Sequence, residues 1–92
     1  MNIRISGPAQ RDLKAAFDFI YDDNPKAAMK MSDAILASVR SLAEFPLRGR
    51  TGRIAETREL VVRQTGHIIG YLVRPDEIII LRVLHGRQNW PV

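Results

Sequence analysis

The residues of this chain best able to do chemistry are arginines. Eight of them, Arg48, Arg50, Arg53, Arg58, Arg63, Arg74, Arg82 and Arg87, lie in the second half against only Glu56, Glu59, Asp76 and Glu77. Residues 1–46 balance, so the whole net charge of +4 belongs to the second half. A guanidinium stays charged and presents a planar fork of donors that fits phosphate or carboxylate. The group therefore points to an anionic partner, either nucleic acid or an acidic protein segment. PLRGRTGR, Pro46 to Arg53, adds two glycines to three arginines, a composition that lets backbone approach an anion closely. No Gly-Lys-Ser/Thr follows it, so nucleotide binding is not indicated.

Arg82 poses the sharpest question. It interrupts the apolar run of EIIILRVLHGRQNW, Glu77 to Trp90. Strict alternation places it on one strand face with Ile78, Ile80 and Leu84, and His85 on the other with Ile79, Leu81 and Val83. An unpaired guanidinium is costly to bury, so Arg82 requires an open face or an acidic partner. Other polar residues promise less. Asp22 and Asp23 are sequence neighbours that point to different faces. His67 and His85 are too few for a metal site, and without cysteine there is no disulfide or thiolate ligand. No cofactor or metal is expected.

The elements that must position these groups can be read from periodicity. Asn2 to Ile5 reads as a short strand. Ser6 is a candidate N-cap and Pro8 suits a first turn, after which Leu13, Ala16, Phe17 and Ile20 form one helical stripe ending near Asp23. Asn24 and Pro25 restart the chain, and Ala28, Met31, Ile35, Val39, Leu42 and Phe45 continue at helical spacing until Pro46. Asp12, Asp18, Asp22 and Lys26 are expected on the solvated side. Thr57 to Arg63, His67 to Val73 and the run from Glu77 read as three strands joined by short turns. The expected fold is α+β: an N-terminal strand, an antiparallel helical hairpin and a three-stranded antiparallel meander, β-α-α-β-β-β. Its helices cover one sheet face. Ninety-two residues fit one domain, 1–92. With no apolar leader or membrane-length run, a soluble cytoplasmic protein is expected, without membrane contact.

PLRGRTGR, TRELVV at Thr57 to Val62, IIGYLV at Ile68 to Val73 and ILRVLHGRQNWP at Ile80 to Pro91 together resemble the ParE branch of the RelE/ParE toxin superfamily, over almost the whole chain. The resemblance implies the toxin of a bacterial type II toxin-antitoxin pair, hetero-oligomeric with a cognate ParD-like antitoxin. ParE-like members are associated with inhibition of DNA gyrase and RelE-like members with ribosome-dependent mRNA cleavage. Cleavage needs acid–base groups and cations on one phosphate; Arg50, Arg58, Arg82 and His85 are the candidates for that alternative. No tyrosine follows Tyr71 and no lysine follows Lys30, and Trp90 stands about where a tyrosine would be expected, with an indole that carries no useful proton. The preferred expectation is a binding toxin with no catalytic residues. Arg48, Arg50, Arg53, Arg82, Arg87 and Trp90 are then target anchors, while Arg58, Arg82, Phe17 and Tyr21 meet the antitoxin. Whether nucleic acid is touched directly stays open at this point.

Overall fold

The computed structural model describes residues 1–87. Its elements are β1 (Asn2–Ile5), α1 (Gly7–Tyr21), α2 (Pro25–Glu44), β2 (Arg50–Thr51), β3 (Arg58–Val62), β4 (His67–Val73) and β5 (Glu77–His85). The order matches the sequence expectation, with β2 as an added two-residue strand. Trp90 lies outside the described residues.

Local chemistry starts each helix where the sequence places it. The Ser6 hydroxyl accepts from the Ala9 N–H at 3.2 Å and donates to the Leu81 carbonyl at 3.0 Å, so the cap also ties α1 to β5. Asn24 Oδ1 accepts from the Ala27 N–H at 3.1 Å, with Pro25 in the first turn. Helix α2 buries Ala28, Met31, Ile35, Val39 and Leu42. Phe45 departs from that stripe. It is the C-cap with ψ 72°, and it faces solvent, because Pro46 disfavours helical backbone in the residue before it. On α1, Leu13, Ala16 and Ile20 pack on the core beside fully buried Ala9. Phe17 is half-buried and stacks on Tyr21, ring centroids 5.2 Å apart.

The sheet runs β1-β5-β4-β3-β2. β1 lies parallel to β5, with Ile3 opposite Ile78 and Ile5 opposite Ile80, and the other neighbours are antiparallel. Leu60, Val62, Ile69, Tyr71, Ile78, Ile80 and Val83 form the core with the α2 stripe. One irregularity decides how the chemistry is displayed. Gly70 pairs with Arg82 but Tyr71 pairs with Ile80, leaving Leu81 as an extra residue on β5. Such a bulge reverses the alternation beyond it. Val83 and His85 thus join Ile78 and Ile80 on the helix side, and Arg82 and Leu84 turn to the other face. The sequence expectation that Arg82 shares a face with Ile78 and Ile80 is corrected by that one residue. Arg82 and His85 still lie on opposite faces.

Candidate binding surfaces

Arg82 has an acidic partner, and it comes from the same chain. β1 accompanies β5 only as far as Ile80, and the chain then turns into α1, which brings Asp12 to the edge that β1 has left. Asp12 Oδ2 accepts from Arg82 Nε at 2.7 Å and from the Val83 N–H at 2.9 Å, and Oδ1 accepts from Arg82 Nη2 at 2.9 Å. The carboxylate thus satisfies a strand-edge N–H and grips the guanidinium bidentately. Its side chain is only 11% exposed, against 30% for Arg82. The hydrogen bond to Asp12 raises the Arg82 pKa further. One expectation is corrected, since Asp12 is not on the solvated side, and of the two alternatives posed for Arg82, an open face or an acidic partner, the free toxin supplies the acid. Asp12 flanks the apolar stripe, and only the position of β5 converts a flank into a contact.

His85 faces the helices and meets His67 across the β4–β5 ladder, rings edge to face with centroids 5.4 Å apart. The Arg87 N–H donates to His85 Nδ1 at 3.2 Å, while His67 Nδ1 lies 2.9 Å from Thr65 Oγ1. Burial, then the neighbouring His85, lowers the His67 pKa. A cleft of about 520 Å³ lies over the pair, lined by Asp12, Ala16, Phe19, Ile20, Met31 and both histidines among others. A second cleft, about 570 Å³, shares Ile20, Met31 and the histidines, and extends along α2 past Ala27, Lys30 and Ala34. Together they form an apolar groove towards the turn end of the hairpin, with Phe19, 84% exposed, at its rim. Sequence periodicity assigned Ala16, Ile20 and Met31 to the core and left Phe19 off the stripe, so it gave no sign that they border a groove with His67 and His85.

The arginines of the α2–β3 connection are organised by residues that the sequence reading did not single out. Glu59 is only 4% exposed; Oε1 accepts from Arg50 Nη2 at 3.2 Å and lies 3.7 Å from Arg53 Nε, and Oε2 accepts from the Arg53 N–H at 3.0 Å. Arg58 Nη1 donates to the carbonyls of Gly49 at 2.8 Å and Leu47 at 3.4 Å, and Arg48 Nη1 to Ser41 Oγ at 2.8 Å. Beneath them the Tyr71 hydroxyl accepts from the Gly49 N–H and donates to the Pro46 carbonyl, both at 2.8 Å. Burial raises the tyrosine's pKa, so it remains a donor. A Cβ on Gly49 would sit 2.7 Å from that hydroxyl; the glycine is required by close approach. Glu59 carried a signal in hindsight, as the one carboxylate inside a strand otherwise flanked by arginine.

The proposed ribonuclease group is therefore dispersed. Arg50 and Arg58 sit on β2 and β3, Arg82 and His85 on β5, with β4 between. Arg82 and His85 face opposite ways, and Arg87 is exposed at the end of β5. Phe17 and Tyr21 are adjacent on α1, beside the groove rather than in it. Among the described residues no group of three His, Cys, Asp or Glu side chains could hold a metal, and no helix is long and apolar enough to cross a membrane.

Residues 3–90 match the family described as ParE toxin of type II toxin-antitoxin system, parDE. The chain belongs to the ParE toxin family. It is a type II toxin of the RelE/ParE superfamily. A protein of Sinorhizobium fredii named as a toxin, Y4kP, is 42% identical over 97% of this chain and 92% of its own length. Toxin RelE2 of Caulobacter vibrioides is 39% identical over 87% of this chain and 89% of its own. A solved structure titled as a chromosomal ParDE TA system from P. aeruginosa superposes with a TM-score of 0.83 at 25% identity, covering 92% of this toxin and 95% of that chain. That likeness supports an antitoxin partner for the toxin.

Proposed function

We propose that this toxin arrests growth by binding rather than by cutting RNA, that its cytoplasmic target is DNA gyrase, and that a ParD-like antitoxin neutralises it. The observation that carries the reading is the separation of Arg82 from His85. Cleavage of a phosphodiester requires a proton-transfer group and cations converging on the same phosphate. Here strand alternation beyond the bulge sets the two residues on opposite faces, and Asp12 already holds the guanidinium. Arg50 and Arg58, on the far strands, are held by Glu59 and by the Gly49 carbonyl. Those fixed guanidiniums suit docking, because little rotamer entropy is lost when a partner arrives.

The antitoxin fits the apolar groove, where an amphipathic segment would cover Phe19, Ile20 and Met31 beside the Phe17–Tyr21 stack. Relatives named RelE favour a second reading, ribosome-dependent mRNA cleavage. A translating extract separates the two. Under the binding reading, mRNA stays uncut at doses of toxin that block gyrase supercoiling. Codon-phased cuts abolished by Arg82→Ala, with supercoiling unimpaired, would establish the second reading instead.

A further inference from the structure

Among the described residues, exposed large apolar side chains gather in two places, with Met1 and Val61 standing apart. One is the groove at the start of α2. The other is the connection after α2, where Phe45 is 56% and Leu47 64% exposed and Ile54 also faces solvent. Phe45, Pro46 and Leu47 border a cleft of about 650 Å³ with Ser41, Glu44 and Arg48. Met31 in the groove and Phe45 at the second cleft are about 20 Å apart along α2, at roughly 1.5 Å rise per residue. One short segment does not fill both.

The second surface is built to stay as it is. Tyr71 pins Pro46 and Gly49, Arg58 holds the carbonyls of Leu47 and Gly49, and buried Glu59 fixes Arg50 and the Arg53 backbone. Apolar side chains kept in water on a rigid frame are the mark of an interface, and the adjoining arginines set the charge of what fits. Between Phe45 and Glu59 the sequence has Arg48, Arg50, Arg53 and Arg58 against Glu56 and Glu59. Of these carboxylates Glu59 is buried. A nucleic-acid backbone would use the arginines and leave Leu47 and Phe45 uncovered; a protein segment with an apolar side chain between carboxylates would use all of them.

We propose that this surface, Phe45 and Leu47 with Arg48 and Arg50, is the toxin's target-docking site, and that it recognises an acidic protein segment with an apolar anchor, leaving the groove to the antitoxin. The proposal rests on the binding reading above but not on gyrase being the target. It is tested with Leu47→Ser and Arg50→Glu, each scored for growth arrest on induction and, as purified protein, for affinity to the purified cognate antitoxin. Arg50 is exposed apart from its Glu59 contact, and Leu47 more so, so antitoxin binding also reports that the variants fold. Expected is at least a tenfold loss of toxic potency from either variant with antitoxin Kd changed less than threefold. Full toxicity in both, or a parallel loss of antitoxin affinity in variants whose circular dichroism and urea midpoint match the wild type, overturns the separate site, and Arg50→Gln, which adds no charge beside Glu59, replaces Arg50→Glu where that variant does not fold. So does salt-dependent binding of a random-sequence DNA duplex that Arg50→Glu abolishes and Leu47→Ser spares. If the variants lose toxicity as expected while wild-type protein leaves gyrase unaffected, the site stands and the gyrase assignment falls.

Discussion

Asp12 carries more than its place on a helix flank suggests, because it satisfies the Val83 N–H and Arg82 together. Asp12→Ala leaves a strand-edge N–H and a partly buried guanidinium without their acceptor, and is expected to cost about 2–3 kcal/mol in urea denaturation. Asp12→Asn, with its carbonyl oxygen in the Oδ2 position, keeps the acceptor for the Val83 N–H and Arg82 Nε but loses the charge and the Nη2 contact, and should cost about half as much. Equal costs for the two variants would mean that the contacts at Oδ2, to Val83 and Arg82 Nε together, contribute nothing. His67 gives a pH dependence with a definite sign. Its folded pKa lies below the unfolded value, so the unfolded chain binds the extra proton. Its share of stability is complete above an unfolded pKa of about 6.5 and is lost as pH falls from there through the folded value. Urea midpoints should fall between pH 7.5 and 5.5, and less steeply in His67→Gln. At this scale the sequence posed the right question about Arg82, an open face or an acid, but not its answer. The partner stands 70 residues away in sequence, and no local pattern encodes that.

Among the elements, capping and periodicity made the helices legible: Ser6, Asn24 and the prolines fix their starts, and the α2 stripe is the buried one. The bulge was not legible. A period of two assumes one residue per step, and Leu81 breaks it with no glycine or proline on β5 itself, the glycine at the break, Gly70, standing on the facing strand. The two-residue β2 was hidden for a different reason, since it is held by side chains from elsewhere in the chain rather than by its own β propensity. The connection from Pro46 to Arg53 depends on Tyr71 in the same way. Tyr71→Phe removes an acceptor from the Gly49 N–H and a donor from the Pro46 carbonyl. It is expected to cost about 1–3 kcal/mol and to speed amide hydrogen exchange in residues 47–53 more than in β4 and β5. Uniform acceleration across the chain would show that the hydroxyl does not hold that connection.

At the scale of the molecule, one short sheet backed by a helical hairpin carries two surfaces of different character: an apolar groove floored by His67 and His85, and an arginine frame edged by Phe45 and Leu47. The family and the fold could be read from the sequence because the strand motifs extend along nearly the whole chain. The two surfaces could not, because each is assembled from side chains of several elements that only the fold brings together. The arrangement predicts recognition without bond cleavage, and gyrase supercoiling is its most direct test. Purified toxin titrated against gyrase should stop supercoiling at micromolar concentration or below, and prior mixing with the cognate antitoxin should restore it. Unchanged supercoiling at saturating toxin, from protein that still binds its antitoxin, would contradict the account.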